Sequence, residues 1–139
     1  MKQHSATISV ETRGPGLVDI TCEVERFVAQ SGISEGLLTV FIRHTSASLV
    51  IQENADPDVL TDLENFMRRT VSRDTRLYEH STEGADDMPA HIRSALTQTS
   101  LSIPLSGGRM VLGTWQAIYV FEHRDRGHSR DVALHVIGA

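Results

Sequence analysis

The chain has 139 residues, of which 40% are hydrophobic and 22% are charged, and its formal net charge at pH 7 is -5. These values are typical of one soluble globular domain, residues 1–139, which is long enough to bury a proper core. The negative charge disfavours non-specific binding to nucleic acid or to an anionic membrane surface, and the single cysteine, Cys22, excludes an intrachain disulfide and a cysteine-rich zinc site.

The first part of the chain predicts three strands and one helix. Apolar residues alternate with polar ones over 6–10, which predicts a half-buried strand. Residues 20–28 carry apolar side chains at helical spacing, and the pair 31–32 ends that helix. The nearly all-apolar segment 36–41 predicts a strand that is buried on both faces, and 48–52 predicts another strand.

Two further helices are predicted in the middle of the chain. Asp56 is expected to cap the first of them, with Pro57 at its first helical position. The buried face of this helix is expected to consist of apolar residues at helical spacing, namely Leu60, Leu63, Phe66 and Met67. A polar segment, 72–87, separates it from a short helix over 89–96.

Four predicted strands close the chain, over 101–105, 109–112, 117–122 and 131–137. The segments 106–108 and 125–127 have the composition of hairpin turns. Because short turns join antiparallel neighbours, the strands are expected to be largely antiparallel. The sequence therefore predicts an α+β domain, an antiparallel sandwich-like sheet system with three helices.

Three histidines stand beside small hydroxyl residues, carboxylates or a helix start: His44, His80 and His91. Neutral imidazole is the commonest metal ligand in proteins, so a shared metal site is one hypothesis. Their spacing matches no standard ligand pattern, so ordinary surface or core histidines are the alternative. Asp86 and Asp87 add hard oxygen ligands or simply cap a helix, and the mixture permits either Mg²⁺ or Zn²⁺.

Two polar segments near the predicted strand 48–52 are candidates for binding a small anionic metabolite. The hydroxyls of Ser46 and Ser48, with adjacent backbone N–H groups, can hold an anion, or they can cap a strand turn. Glu53 and Asn54 follow a buried strand and precede a helix cap. At this position they either bind a ligand or form hydrogen bonds within the local turn.

The last candidates come from the second half of the chain. Arg109 and Arg124 can clamp a phosphate or carboxylate through two parallel hydrogen bonds. Thr114 and Trp115 follow a glycine that allows close approach of the backbone. The ring of Trp115 is suited either to packing or to stacking on a heterocycle.

Taken together, these motifs resemble the YjbQ family, also called UPF0047. The similar segments keep their order over almost the whole chain and are 44–49, 53–59, 86–92, 108–109 and 112–116. Members of the family are described as secondary thiamine-phosphate synthases. The resemblance implies a compact α+β fold built on an antiparallel β-sandwich, assembled as a homotrimer. It also implies a metal-holding polar cluster in a cleft near the subunit contact.

The resemblance also implies roles for individual residues. His44, His80 and His91 would be the metal-ligand candidates, with Glu53, Asp86 and Asp87 as near neighbours. The implied reaction condenses a pyrimidine pyrophosphate with a thiazole phosphate to give thiamine phosphate and pyrophosphate. Its charge stabilisation would come from Mg²⁺ on the two aspartates and from Arg109 and Arg124 on phosphate, while His44 or His91 moves protons.

Four interpretations of the polar residues stay open at this point. One is the Mg²⁺-dependent transferase, and a second is a metal-dependent hydrolase of a small anionic metabolite, since a zinc-bound water is a ready nucleophile. A third is a non-catalytic protein that binds a metal or a metabolite. In the fourth, the cluster only stabilises a trimer contact. No signal peptide or membrane-spanning stretch is visible, so we expect a cytoplasmic protein.

Overall fold

Eight strands and three α-helices form the fold in the computed structural model, which describes residues 1–139. The strands are β1 (Lys2–Glu11), β2 (Gly16–Asp19), β3 (Gly36–Ile42), β4 (Ala47–Glu53), β5 (Ser100–Ser106), β6 (Arg109–Met110), β7 (Gln116–Glu122) and β8 (Ser129–Gly138). The helices are α1 (Thr21–Ser31), α2 (Pro57–Thr70) and α3 (Asp87–Leu96), with a 3₁₀ turn at Thr75–Leu77. None of these helices is long and apolar enough to cross a membrane.

The strands form two antiparallel sheets, which confirms the predicted fold class. The larger has the order β1-β8-β3-β5-β6 and the smaller the order β2-β7-β4. One apolar cluster contains residues of both sheets, such as Leu38 and Leu49, and the inner face of α1, including Phe27. Burial of this shared apolar surface holds the two sheets and α1 together.

Several connections carry the chain from one sheet to the other. Strands β1 and β2, β3 and β4, and β7 and β8 are consecutive in sequence but belong to different sheets. The predicted hairpin at 125–127 is therefore wrong, because this segment links β7 to β8 across the sheets. The turn at 106–108 does join paired neighbours, since Ser106 lies opposite Arg109.

Strand β3 is buried on one face only. Leu38 and Val40 are fully buried, whereas Leu37 and Phe41 on the opposite face are exposed. The prediction of burial on both faces was wrong because no helix covers the outer side of an antiparallel strand here, and such sheets commonly leave one face in water. Because almost every residue of 36–41 is apolar, the sequence does not show which residues of this strand face the core and which face water.

Helix α2 begins as predicted but presents a narrower buried face. The carboxylate of Asp56 accepts a hydrogen bond from the backbone N–H of Asp58 at 2.9 Å, which confirms the cap. Met67 is 7% exposed, but Phe66 is 51% exposed and lies beneath the guanidinium of Arg69. Neighbouring positions on a helix point about 100° apart, so only one of the two faces β2 and the core.

We expect Met67→Ala to lower the free energy of unfolding by about 2–3 kcal/mol, because it removes buried apolar atoms and leaves a cavity. Phe66→Ala on the next position should cost less than about 1 kcal/mol, because this ring is half exposed. Urea denaturation of both variants measures the difference. Equal losses would contradict the orientation of α2.

Candidate functional site

Three segments converge at one end of the smaller sheet. Strands β4 and β7 are antiparallel, with Ala47 opposite Glu122, so the start of β4 and the end of β7 lie side by side. Thr45 stands just before β4, and Arg124 stands just after β7. The first turn of α3 begins at Asp87 and packs against this end. This meeting point brings together side chains that are far apart in sequence.

A buried carboxylate lies between two accessible imidazoles at this end. The ligand atoms of His80, Asp87 and His91 all lie within 4.8 Å of one another. Oδ2 of Asp87 is 2.7 Å from Nε2 of His80 and 2.9 Å from Nε2 of His91. The side chains of His80 and His91 are 38% and 30% exposed, whereas that of Asp87 is buried. The spacing of Asp87 and His91 by one helical turn places both on the same face of α3.

The hydrogen bonds of His91 define what its ring can offer. Its Nδ1 lies 2.8 Å from the backbone carbonyl oxygen of Thr45, and because a carbonyl only accepts, Nδ1 donates. In the neutral ring, Nε2 then presents a lone pair toward Oδ2 of Asp87, which is also an acceptor. Two facing acceptors need a cation between them, either a proton on Nε2 or a metal ion. A backbone carbonyl on the other ring nitrogen is the usual support of a metal-binding histidine.

Arg124 fixes both neighbouring aspartates. Its Nη1 lies 2.9 Å from Oδ1 of Asp87, and its Nε donates to Oδ2 of Asp86 at 2.8 Å. Its Nη2 donates to the backbone carbonyl of Glu83 at 2.9 Å. All three nitrogens of the guanidinium are therefore engaged within the protein. Arg124, predicted to clamp a substrate, instead positions the carboxylates.

Both aspartates are held ionised. The hydrogen bond from Arg124 lowers the pKa of Asp86 to about 2, against the opposing effect of burial. Burial would raise the pKa of Asp87, but the hydrogen bond from His80 and the charges of His91 and Arg124 outweigh it and lower the pKa. An ionised Asp87 keeps its Oδ2 available as a ligand atom.

His44 does not join this cluster. Its Nε2 accepts a hydrogen bond from the backbone N–H of Asp131 at 2.8 Å, and its Nδ1 lies 3.3 Å from Nη1 of Arg130. Burial and the charge of Arg130 lower the pKa of His44, which keeps the ring neutral. The predicted grouping of three histidines therefore reduces to His80 and His91, because the ring of His44 turns toward β8.

The hydroxyls of Ser46 and Ser48 are buried in polar networks. Ser46 Oγ accepts a hydrogen bond from Nη2 of Arg130 at 3.1 Å, and Arg130 forms a buried ion pair with Glu122. Ser48 Oγ lies 2.8 Å from Nε2 of His123, whose pKa burial lowers to about 3. Neither hydroxyl opens toward solvent, so this structure gives both serines an internal role in place of the predicted substrate contact.

The remaining predicted substrate residues lie at the opposite end of the smaller sheet. Asn54, Arg109 and Thr114 line one cavity of about 570 Å³, and Trp115 beside it is exposed. The backbone N–H of Asn54 donates to the carbonyl of Trp115, and Glu53 Oε2 accepts from the N–H ahead of α2. Because seven-residue strands separate the two ends by about 20 Å, these residues do not share a site with Asp87 within one chain.

Sequence reasoning missed the buried charged residues Glu122, Arg130 and Arg93. One signal was available for Arg130, because it has the same parity along β8 as the buried Val132 and Leu134. A charged residue in register with a buried apolar face predicts an internal ion pair. No comparable signal exists for Arg93, because α3 is too short to define its buried face from sequence.

We expect the ion pair of Asp86 with Arg124 to stabilise the fold in a pH-dependent way. The folded pKa of about 2 lies below that of an unfolded aspartate, so the stabilisation is complete above about pH 4 and is lost as the pH falls through about 2. Asp86→Asn should therefore lower the free energy of unfolding by about 2 kcal/mol at neutral pH, and the deficit should shrink in acid. Denaturant titrations across pH measure it.

The exposed Asp62 provides the control for this measurement, because its carboxylate forms no ion pair. Asp62→Asn should change the free energy of unfolding by less than about 0.5 kcal/mol at every pH. A deficit of Asp86→Asn that stays constant into acid would show that the charge of Asp86 is not its source.

Known proteins match this chain along almost its whole length. It is 56% identical to a UPF0047 protein of Synechocystis sp. over 137 residues, which is 99% of this chain and 93% of that protein. It is 47% identical to the UPF0047 protein YjbQ of Escherichia coli O157:H7 over 131 residues, covering 94% of this chain and 93% of the relative.

Solved structures of similar proteins have the same fold. The crystal structure of an uncharacterised conserved YjbQ/UPF0047 family protein from Clostridium acetobutylicum superposes with a TM-score of 0.85 and 36% identity, covering 95% of this chain and 99% of that one. A conserved hypothetical protein from Thermus thermophilus gives a TM-score of 0.84 and 31% identity, covering 95% of this chain and 99% of that one. The family model described as UPF0047 protein YjbQ-like matches residues 6–139. The chain therefore belongs to the YjbQ-like UPF0047 family.

Proposed function

We propose that the protein is a metal-dependent hydrolase of a small anionic metabolite, with His80, Asp87 and His91 as the metal ligands. The observation that carries the proposal is the hydrogen bond from Nδ1 of His91 to Thr45, because it directs the lone pair of Nε2 toward the ionised Asp87. Protein ligands in this arrangement leave one side of the site open to water and substrate, as catalytic metal sites require.

The donor set favours zinc or another transition metal over magnesium. Two imidazoles and one carboxylate match the ligands of catalytic zinc sites, whereas Mg²⁺ prefers oxygen ligands. When bound, such an ion activates water for attack near neutral pH. Asp86 stays in its ion pair with Arg124 and supports the site instead of entering it.

The surroundings support an anionic substrate. A cavity of about 530 Å³ lies next to the cluster: Arg124, which pairs with Asp87, lines it together with Asp86 and Arg126, whereas the three proposed ligands do not. Pockets of this size hold small metabolites. Arg126 is exposed and forms no ion pair, so it offers positive charge at the rim. The exposed edges of His80 and His91 leave the site accessible.

Purified without a metal-binding tag, the protein should bind about one zinc ion per chain, measured by elemental mass spectrometry after dialysis. His91→Ala and Asp87→Asn should lose the metal, because each removes a ligand. His44→Ala is the matched control and should retain it, since its ring binds Asp131 and Arg130. Loss of zinc in His44→Ala, or no binding in the wild type, would contradict the ligand set.

Hydrolysis of a panel of phosphate monoesters and carboxylate esters tests the reaction. We expect activity that a chelator abolishes and added zinc restores, with a loss of about 100-fold in His91→Ala, because activation of water depends on the metal. Zinc binding without turnover of any ester would favour the non-catalytic binding protein instead.

A thiamine-phosphate-synthase-like transferase is the second candidate. It is favoured by the cavity that brings together the predicted substrate residues Asn54, Arg109 and Thr114, of which the family resemblance assigns Arg109 to phosphate. The same preparation, supplied with pyrimidine pyrophosphate, thiazole phosphate and Mg²⁺, distinguishes the two. Product formed by the wild type and lost in Arg109→Met, together with no chelator-sensitive hydrolysis of any ester, would support the transferase and count against the hydrolase.

We also propose the homotrimer that the resemblance implies. Leu37 and Ile137 are paired neighbours on the outer face of the larger sheet, and both are exposed together with Phe41. Exposed large apolar side chains on one sheet face support a subunit contact. The cytoplasmic location stays a prediction.

A further inference from the structure

Arg93 on α3 is a buried arginine whose donors are mostly unused. It is 2% exposed, and its single hydrogen bond runs from Nη1 to the carbonyl oxygen of His123 at 3.4 Å. Its Nε and Nη2 are buried without a hydrogen-bond partner in the protein. These two nitrogens form one edge of the planar guanidinium, the edge that binds two oxygens of a carboxylate or phosphate in parallel.

Arg93 lines a cavity of about 330 Å³ that has an excess of positive charge. The cavity is lined by Pro15, Glu64, Arg68, Arg73, Arg93 and Asp125. Two of its three arginines are matched, because Arg73 pairs with Asp125 and Arg68 pairs with Glu64. Arg93 has no carboxylate within ion-pair distance, and the charges of Glu64 and Asp125 act on it only at longer range. A buried charge is stable only when it is paired.

Glu64 contributes the opposite kind of unused group to the same cavity. Its Oε1 accepts from Arg68, but its Oε2 is buried without a hydrogen-bond partner. A ligand that forms hydrogen bonds with all of these unused groups must offer two acceptors to Arg93 and one donor to Glu64. A phosphate group that carries one proton has this pattern, because its oxygens accept and its hydroxyl donates.

We propose that this cavity binds a singly protonated phosphate group, of inorganic phosphate or of a small phosphate monoester, with Arg93 as its anchor and Glu64 as the acceptor of its proton. None of His80, Asp87 and His91 lines this cavity, although Arg73 and Asp125 line both it and the cavity beside the cluster. Asp87 and Arg93 point to different sides of α3 at about 100° per residue. The inference therefore does not depend on the proposed hydrolase.

Titration of the metal-free protein with inorganic phosphate, in the presence of a chelator, tests the site. We expect a saturable shift of the Arg93 Nε–H resonance in the ¹H–¹⁵N spectrum and a rise in Tm that follows the binding curve. Arg93→Met should weaken binding by about tenfold or more, because it removes the bidentate donor edge. Arg26→Met, at an exposed position of α1, is the matched control and should bind as the wild type does.

Sulfate tests the role of Glu64. Sulfate carries no proton at neutral pH, so its oxygens would face the carboxylate of Glu64, and it should bind about tenfold more weakly than phosphate. Glu64→Gln should reduce that preference, because the amide can donate to either anion. Tighter binding of glycerol phosphate than of inorganic phosphate would identify a monoester as the ligand, and the reverse order would identify the free ion.

Three results would overturn the proposal: no saturation by phosphate below about 10 mM in the wild type, an unmoved Arg93 Nε–H resonance, or equal binding by Arg93→Met and Arg26→Met. The spectrum of the wild type gives an answer even if Arg93→Met does not fold. His91→Ala should bind phosphate normally, so a failure of the metal site and a failure of this site are distinguished.

Discussion

The buried ion pair of Glu122 with Arg130 is the interaction on which the polar end of the molecule depends. Glu122 ends β7 in the smaller sheet and Arg130 lies near the start of β8 in the larger one, so the pair ties the two sheets together. Thr12 donates to the same carboxylate at 2.6 Å, and Ser46 accepts from the guanidinium. The burial of Glu122 alone would raise its pKa, but the hydrogen bonds from Arg130 and Thr12 outweigh burial and lower it. Removing one partner would leave an uncompensated charge inside the sandwich, which is strongly destabilising.

The ion pair of Glu122 with Arg130 also determines the geometry of the candidate metal site. Oε2 of Glu122 accepts the backbone N–H groups of His123 and Arg124, both at 3.1 Å, and so fixes where the chain leaves β7. The side chain of Arg124 then holds Asp86 and Asp87. Asp87 is therefore positioned by the fold before any ion binds. Preorganisation of this kind keeps the ligand atoms close together without the entropy loss of ordering a flexible loop.

Local patterns predicted the elements and part of the site, and long-range pairing decided the rest. The cap of α2 by Asp56 follows from spacing along the chain. The helix predicted over 89–96 left out Asp87, so the helix face that Asp87 shares with His91 was not predicted. The approach of His91 to Thr45 joins residues 46 positions apart, and nothing in either segment encodes it. The hairpin prediction at 125–127 failed for the same reason. A short polar turn has the same composition whether it joins two paired strands or two strands of different sheets. The length of β4 likewise places Asn54, which follows its last residue, away from Thr45 and the histidines.

Arg124 and Arg93 use the guanidinium group in two different ways. Every nitrogen of Arg124 has an oxygen partner in the protein, so its charge serves to build the site. Arg93 is more deeply buried and keeps its bidentate edge unused. A buried charge without a partner destabilises a fold, so stability alone gives no reason for an arginine at this position. The fold therefore uses every nitrogen of Arg124 within the protein but leaves the bidentate edge of Arg93 without a partner, and an oxyanion is the chemical group that completes this edge.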